Sequence, residues 1–537
     1  MNWLRITCSV LASSLLLAAW SCGSTSSNGG FPQPGPDGST SSSSGGTTNA
    51  DGSTSSGDDG PSYGQLGDAA PPPYDGSGGC KNLQCQVHSC GGGDGAAPPA
   101  DGGTVDAGPN TTISGTVYDP AGRNPLYNVV VYIPNAQGGK LDAIPIGINA
   151  NSCSCGALFS GEPIAYAITD TAGKFTLTNV PDGANIPLVV QIGKWRKEIT
   201  IPSVAQCANT DAGKITLPKN LTDGAFASMP NIAISTGGAD TLECLLTRVG
   251  IDEAAFTGDP NGPGIHVFHG SGGNSASGSP AAPTSLWDSQ ADLMRYDIMM
   301  LSCEGSPTAG VSATTATYLA PYVNSGGRVF AEHYHYAFFT NYTGKNPAPY
   351  AEFPNVAGWT NLGLAGNDSP YTNDITGVIE TTLPSGTPFP EGAALKSWLG
   401  NVGALNASGE IVVPVANARD TALVSATNVA TPWVQTDPSI KPASTQYFSW
   451  DMPFDAGLDE AGAPQYCGRV VYSDMHVSGS AADYQGGSSV VPTGCDATAA
   501  LTPDEDAIEF ILFDLSSCIT PVGFTPQPPP PEGGVAN

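Results

Sequence analysis

The spacing of apolar residues changes partway along the chain, and this change constrains the fold more than any other feature. From about residue 110 to 220, polar and apolar residues alternate in short runs such as Thr112–Tyr118, which predicts β-strands. From 230 to 519, continuous apolar runs such as Tyr296–Ser302 are separated by helical patterns. The sequence therefore predicts a multidomain protein, with an antiparallel β-sandwich followed by an α/β domain that has a doubly wound, mostly parallel sheet.

Turn residues and helix signals divide these two domains further. About seven short strands are predicted in residues 110–220, separated by turns such as Asp119–Gly122. Residues 345–460 contain many Pro and Gly residues and are predicted to form a β-rich insertion beside the parallel sheet. Thr502-Pro-Asp-Glu505 is a capping box with Pro at the first helical position, which predicts the start of a closing helix.

The first residues predict export and a lipid anchor. Residues 1–21 carry one positive charge and an apolar run too short to span a bilayer, as a signal peptide does. Ala19–Cys22 resembles the lipobox at which a diacylglyceryl group is attached to the cysteine. The alternative is ordinary secretion with cleavage after Ser21. With lipid on Cys22, the protein is expected to be anchored in the cell envelope, at the outer membrane or cell surface, outside the cytoplasm.

Composition indicates the character of the segments outside the two domains and argues against nucleic acid as a partner. Residues 22–79 are mostly Gly, Ser, Thr, Pro, Asp and Asn, which predicts a disordered linker. Residues 80–109 form a Gly-rich segment that contains cysteines, and residues 520–537 are predicted to be a disordered, Pro-rich tail. The net charge of −30 argues against nucleic acid as a partner, because phosphate groups repel an acidic surface.

The 13 cysteines are typical of an oxidising compartment, in which disulfides form. Cys8 is removed with the signal peptide and Cys22 takes the lipid, so an odd number is left. The cysteines before residue 210 are expected to pair among themselves. The alternative for Cys80, Cys85, Cys90, Cys153 and Cys155 is zinc ligation, but their spacing is not the usual one for zinc ligands. Those after it are expected to pair across one loop and between two helices, as Cys467–Cys495 and Cys244–Cys518. Cys303 is then the unpaired thiol.

Candidate chemical groups follow the predicted strands of the α/β domain. Of the six histidines, four lie at or just past the carboxyl ends of these strands, where open α/β sheets bind ligands: His269, His333, His335 and His476. Cys303 and Glu304 follow another strand at the same edge. His333 and His335 are two residues apart, so in extended backbone both point to one side, as metal ligands do.

Three interpretations of this cluster are open. In the first, His333, His335 and His476, with or without Glu304 or Asp474, bind a zinc-like divalent metal that activates water for hydrolysis or binds sugar hydroxyls. In the second, Cys303 is a thiolate nucleophile with a histidine, His333 or His476, as its base, and Glu304 belongs to the same catalytic set. In the third, the histidines are structural residues held by hydrogen bonds.

The expected ligand is a carbohydrate or another cell-surface molecule. Tyr334 and Tyr336 follow a predicted strand near the ligand edge, where aromatic rings stack on sugar rings, although packing in the core explains them equally well. His269 and Asp474 are further candidate binding residues. The sequence thus favours a lipoprotein that displays a ligand-binding domain, with an extracytoplasmic hydrolase as the alternative.

Three segments of the first domain carry a family resemblance. Gly115–Asp119, Pro125–Val131 and Thr169–Phe175 resemble the carboxypeptidase regulatory-like domain, which is a transthyretin-like sandwich. The resemblance implies a module that packs against other domains or faces carbohydrate and has no catalytic role.

Three segments of the second domain carry another resemblance. Tyr296–Leu301, Tyr322–His333 and Gly468–His476 resemble class I glutamine-amidotransferase-like folds, most closely the trehalose-utilisation type, which implies a flavodoxin-like sheet. His333 occupies the position where a glutaminase has its cysteine, and no Gly-x-Cys-x-Gly motif is present, so glutamine hydrolysis is not expected. The combination of the two domains resembles uncharacterised bacterial lipoproteins.

Overall fold

The structure, a computed structural model, describes residues 80–90, 110–135, 141–150, 152–154, 159–259, 261–273, 278–307, 310–342, 347–360, 362, 369–459, 462–477, 495 and 497–526. The predicted signal peptide, the predicted lipidation site Cys22, the predicted linker and most of the Pro-rich tail lie outside these residues. In the part of the chain that is described, no helix has the length and apolar character needed to cross a bilayer.

Strands dominate the described chain. The first eight are β1 Thr112–Tyr118, β2 Val130–Ile133, β3 Ala165–Ile168, β4 Lys174–Thr178, β5 Gly183–Ile192, β6 Trp195–Val204, β7 Asn209–Thr216 and β8 Ala225–Ser228. Strands and helices then alternate as β9 Ile232–Thr236, α1 Leu242–Arg248, β10 Phe256–Thr257, β11 Ile265–His269, α2 Gln290–Leu293, β12 Ile298–Leu301, α3 Ala313–Asn324 and β13 Arg328–Glu332. The last elements are β14 Gly358–Trp359, β15 Ile375–Ile379, α4 Pro390–Val402, β16 Ile411–Val413, β17 Ala422–Leu423, β18 Thr431–Thr436, β19 Thr445–Met452, β20 Gly468–Ser473 and α5 Pro503–Ser516.

Strands β1 to β8 form two sheets, with the orders β4-β1-β7 and β3-β2-β5-β6-β8. Alternation places the apolar residues inside: Phe175 and Leu177 of β4 are buried, whereas Lys174 and Thr176 are exposed. The prediction of a strand-rich first region is confirmed, but the sheets are not wholly antiparallel, because β1 and β7 run parallel. The chain passes through β5 and β6 of the other sheet before β7, so no hairpin restricts the β1–β7 pair to antiparallel pairing.

The later strands form one ten-stranded mixed sheet, with the order β10-β11-β9-β12-β13-β20-β19-β18-β15-β16. The first six strands in this order, which end with β20, pair in parallel. The last four, β19, β18, β15 and β16, continue the sheet in antiparallel pairing. The four residues of β12 are all buried, as their continuous apolar run predicted. Residues 345–460 are β-rich as expected. Their strands β15, β16, β18 and β19 extend the same sheet, because β19 pairs along the whole of β20.

Helix α5 packs between the two regions. Its predicted capping box is present, with the Glu505 carboxylate accepting a hydrogen bond from the Thr502 N–H at 2.8 Å. Every residue from Asp504 to Leu515 is buried. Ring centroids of Phe513 and Trp195 lie 5.7 Å apart, so the helix joins the core of the first sheets to that of the ten-stranded sheet.

The disulfides agree with the predicted scheme only in part: Cys80–Cys85 and Cys90–Cys207 join cysteines before residue 210 as expected, but Cys153 pairs across that division. The bonds are Cys80–Cys85, Cys90–Cys207, Cys153–Cys467 and Cys244–Cys495, and Cys518 is also disulfide-bonded. The expected Cys467–Cys495 and Cys244–Cys518 pairs were wrong, because packing brings Cys153 of the first region to a Cα separation of 4.6 Å from Cys467. Cys303 is the free cysteine of the described residues, as predicted.

Candidate functional site

Three neighbouring parallel strands end in chemically active side chains at one edge of the sheet. Cys303 lies just past β12, His333 directly follows β13, and His476 lies just past β20. Gly237, after β9, allows the loop that carries Cys303 to approach, because a Cβ at this position would lie 2.1 Å from the Cys303 carbonyl oxygen. Parallel pairing therefore brings together residues that are far apart in sequence.

The three side chains form a compact, buried cluster. One donor atom from each of Cys303, His333 and His476 lies within 4.8 Å of the others. The Cys303 Sγ is 3.6 Å from the His333 Nδ1, and the ring centroids of His333 and His476 are 5.3 Å apart. Their exposed fractions are 0%, 4% and 3%. The structure thus brings two of the predicted histidines together with the free thiol.

The backbone at His333 is in the left-handed region, with φ of 32°. β13 ends at Glu332 and a 3-10 helix begins at His333, so the chain turns sharply at this residue. Side chains other than glycine are strained in this conformation. The turn places the His333 ring at the sheet edge, and the surrounding contacts must offset the strain.

We expect His333→Gly to be more stable than His333→Ala by about 1 kcal/mol, because both variants lose the imidazole but only glycine relieves the backbone. Urea unfolding of the two variants measures the difference. An alanine variant as stable as the glycine variant would contradict the strained geometry.

His335 is not part of the cluster, contrary to the prediction. Its Nδ1 lies 2.9 Å from the Glu332 carbonyl oxygen, and its ring stacks on Phe338. The prediction assumed extended backbone, in which residues two apart share a side. Residues 333–338 instead form a 3-10 helix with about three residues per turn, which sends the His333 and His335 side chains in different directions.

The two candidate tyrosines are buried and cannot stack on a sugar. The exposed fractions of Tyr334 and Tyr336 are 2% and 0%. Tyr334 packs on the His333 ring at a centroid distance of 4.1 Å, and Tyr336 packs near Trp359. The 3-10 helix turns these rings into the core, so stacking on a ligand at these positions is contradicted.

Asp474 holds the backbone in place. Its Oδ2 accepts hydrogen bonds from the N–H groups of Thr421 and Ala422 at 2.7 and 3.1 Å, and its Oδ1 accepts one from the Thr421 hydroxyl. Burial raises the pKa of Asp474 to about 7. Its oxygens therefore bind the loop beside β20, and Asp474 is not in the donor cluster.

His269 and Glu304 lie at the same sheet edge but outside the cluster. His269 ends β11, which is separated from β12 by β9. Glu304 follows Cys303 and is 6% exposed, close to Gly270. Neither belongs to the group of donor atoms found among the described residues.

Sequence reasoning missed Arg419, which lies in the stretch treated as an insertion. Its Nη2 is 3.2 Å from the Nδ1 of His476, and the residue is 3% exposed. A single arginine in a loop gives no sequence signal, because only the folded chain places it beside His476.

Two buried carboxyl groups position the loops of the cluster. The Glu332 Oε2 accepts a hydrogen bond from the Cys303 N–H at 2.9 Å, and the Asp240 Oδ2 accepts one from the Val477 N–H at 2.6 Å. Burial, and then the neighbouring Asp240, raise the pKa of Glu332 well above its ordinary value. These contacts fix the backbone beside Cys303 and His476.

Burial also sets the protonation states of the cluster. It lowers the pKa of His333 and of His476 well below the ordinary value, with Arg419 adding to the effect on both. Burial raises the pKa of the Cys303 thiol. At neutral pH the imidazoles are therefore uncharged and the thiol holds its proton.

The cluster fits a transition metal by donor type and spacing. Zinc bonds of about 2.3 Å to sulfur and about 2.0 Å to nitrogen, in tetrahedral geometry, separate the two donors by about 3.5 Å. The observed separation of Cys303 Sγ and His333 Nδ1 is 3.6 Å. Neutral imidazoles are ready to bind a metal, and the thiol would release its proton on binding.

Comparisons with known proteins give no family. No family model matches the chain, and no curated protein matches it. Two mutants of a type II cohesin–X-dockerin complex from Acetivibrio cellulolyticus match at 18% and 16% identity, each over 27% of this chain and 74% of theirs, with TM-scores of 0.13 and 0.14. A 9R-lipoxygenase from Cyanothece PCC8801 matches at 14% identity over 20% of this chain and 16% of its own, with a TM-score of 0.12. Scores this low carry no argument about function.

Proposed function

We propose that Cys303, His333 and His476 form a metal centre for a zinc-like divalent ion, with which an envelope-anchored lipoprotein binds or hydrolyses an external ligand. One observation carries this proposal: three buried nitrogen and sulfur donors from separate strand ends lie within 4.8 Å of one another. Such a convergence of costly buried polar groups is typical of a functional site.

The described residues supply three donors, and this number favours one kind of centre. Structural zinc sites use four protein ligands, whereas catalytic sites use three and leave a position for water or substrate. A bound ion would lower the pKa of a water molecule in that position. Glu332 and Asp240 would keep the loops of Cys303 and His476 in place, as hydrogen-bonded residues around metal ligands do.

The location and architecture belong to the same proposal. Four disulfides within the described residues are compatible with a location outside the cytoplasm. The two small sheets fit the proposed transthyretin-like sandwich, and the parallel strands β9 to β13 fit the proposed amidotransferase-like domain. Lipid on Cys22 would anchor the protein, and a carbohydrate or other cell-surface molecule is the proposed partner.

A cysteine hydrolase is the second candidate. The 3.6 Å separation of Cys303 Sγ and His333 Nδ1 is suitable for a nucleophile and its base. Burial raises the pKa of the Cys303 thiol, however, and so disfavours the thiolate that this mechanism needs. The proposed metal centre does not face this difficulty, because a bound metal would itself favour the deprotonated thiol as its ligand.

We expect the purified chain to hold about one zinc ion after reconstitution under reducing conditions that leave the disulfides intact. Cys303→Ser, His333→Ala and His476→Ala should each weaken zinc binding by more than about 100-fold, because even residues behind the ligands contribute 10–100-fold. Mass spectrometry of metal content and competition with a chromophoric chelator measure the two quantities.

His88→Gln is the matched control, because His88 is a histidine on the surface, with its side chain 52% exposed. It should bind zinc as the wild type does. A wild-type chain that takes up no zinc, or cluster variants that bind it as tightly as His88→Gln, would contradict the metal centre. Inactivation of metal-free protein by alkylation of Cys303 would favour the cysteine hydrolase.

A further inference from the structure

We propose that Arg419 and His476 form the recognition site for a carboxylate group of the ligand, beside Cys303 and His333. The inference rests on the proposed function for the location of the ligand, and it adds that the ligand carries a carboxylate group. It is carried by buried hydrogen-bond donors that have no acceptor in the described chain.

Arg419 is a buried cation without an ion-pair partner. Its Nη1 donates to the carbonyl oxygens of Ala416 and Ala418, each at 2.8 Å, and its Nη2 donates to His476 Nδ1 at 3.2 Å. Its Nε is buried and has no hydrogen-bond partner, and no carboxylate of the described residues lies within ion-pair distance of the guanidinium. Removing a cation from water without a counter-charge is costly, so an anion is the expected occupant.

His476 supplies a second unpartnered donor. Because its Nδ1 accepts from Arg419, the neutral ring carries its proton on Nε2. That nitrogen is buried and has no partner among the described residues. Donors on both Arg419 and His476 are therefore available to an acceptor.

The neighbouring acidic groups compensate the positive charge of Arg419 only in part. Burial lowers the pKa of Arg419, and Cys303, Asp474, Tyr334 and Asp240, in their ionised forms, act against this effect. Asp474 already accepts hydrogen bonds from residues 421 and 422, and Asp240 accepts one from Val477. By contrast, the equally buried Arg469 is surrounded by three carboxylates within 4.0 Å.

Charge and size favour a carboxylate over a larger anion. One guanidinium charge balances one negative charge, whereas phosphate brings close to two. Arg419, Cys303, His333 and His476 are each no more than 4% exposed, which favours a small anionic group over a large one.

Metal and carboxylate would share His476 in this arrangement. A metal bound through His476 Nε2 would leave the ring proton on Nδ1, so His476 would no longer donate to the carboxylate, and the Arg419 guanidinium, released from Nδ1, would hold the ligand. The metal also adds positive charge beside Arg419, which strengthens the attraction for an anion.

The test uses iodoacetate and iodoacetamide on the metal-free full chain, with Cys303 as the reporter. In both reactions the thiolate sulfur bonds to the methylene carbon, iodide leaves, and the thiol proton passes to solvent. The two reagents are similar in size, but only iodoacetate carries a carboxylate. We expect the iodoacetate-to-iodoacetamide rate ratio at Cys303 to be at least about tenfold higher in the wild type than in Arg419→Gln.

A second measurement covers the case in which the buried thiol reacts with neither reagent. Sodium acetate should raise the thermal midpoint of the wild type above that in sodium chloride of equal ionic strength, and Arg419→Gln should lose this difference. Arg419→Lys should keep part of it, and Arg295→Gln, at a partly exposed position away from the cluster, should keep all of it. If Arg419→Gln does not fold, the thermal midpoint of His476→Gln in acetate and in chloride, compared with that of the wild type, still tests the carboxylate site.

Equal rate ratios in the two proteins, or an acetate effect no larger than that of chloride, would overturn the proposal. Stabilisation by phosphate but not by acetate would overturn the carboxylate assignment. Zinc content is measured on the same samples. Arg419→Gln should bind zinc at least as tightly as the wild type, because a neighbouring positive charge is removed, so failure of the carboxylate site is distinguishable from failure of the metal centre.

Discussion

Replacing Arg469 by methionine is expected to lower the free energy of unfolding by about 3–5 kcal/mol. The Arg469 side chain is 3% exposed, and its guanidinium lies 2.6 Å from Asp451, 2.9 Å from Asp514 and 3.5 Å from Glu391. It also donates to the Thr520 carbonyl oxygen at 3.2 Å. Without the cation, these buried carboxyl groups must lose their charge or repel one another.

Urea unfolding measures this loss, with Arg295→Met as the control. Arg295 makes an ion pair with Asp292 at 2.8 Å, but both side chains are about one-third exposed, so its loss should cost less than about 1 kcal/mol. Adding Asp514→Asn to Arg469→Met should recover part of the loss. A change below about 1 kcal/mol for Arg469→Met would show that the buried network does not stabilise the fold.

Replacing Glu243 by glutamine is expected to stabilise the protein at alkaline pH. Glu243 lies in α1 with an exposed fraction of 0%, and neither carboxyl oxygen has a hydrogen-bond partner among the described residues. Burial, followed by the nearby Asp240, raises its pKa from 4.5 to about 8. The carboxyl group is therefore protonated in the folded chain at pH 7 and ionised in the unfolded chain.

The direction of the pH effect follows from this difference. Between pH 4.5 and about 8 the folded state binds the proton of Glu243 and the unfolded state does not, so stability falls as the pH rises through this range. The contribution is fully present below pH 4.5 and is lost above about 8. It amounts to on the order of 4 kcal/mol.

Urea midpoints at pH 5, 7 and 9 test this prediction, because other buried acids cancel when the variant is compared with the wild type. The advantage of Glu243→Gln over the wild type should grow with pH. Glu253→Gln, at an exposed position, should follow the wild-type profile. A constant difference between Glu243→Gln and the wild type at all three pH values would contradict the assigned protonation.

Local patterns predicted much of the secondary structure. The run Thr112–Tyr118 is a strand with the predicted bounds, and the capping box at Thr502 begins α5. These patterns work because strand and helix periods involve only neighbouring residues. The same patterns do not show whether the polar face of a helix or strand is also covered by other parts of the chain. Leu242 and Leu245 of α1 are buried, and Glu243 is buried as well because the helix is covered on more than one side.

By itself, the sequence determined the strand-rich, multidomain character of the chain, the odd cysteine and the placement of cysteine and histidine at strand ends. Only the tertiary structure decided that Cys153 pairs with Cys467, that His335 turns away from His333, and that Arg419 meets His476. Each of these depends on contacts between distant segments or on a single left-handed residue. The spacing of apolar residues and the number of cysteines do not encode such contacts, because these contacts arise only when separate strands pack into one sheet.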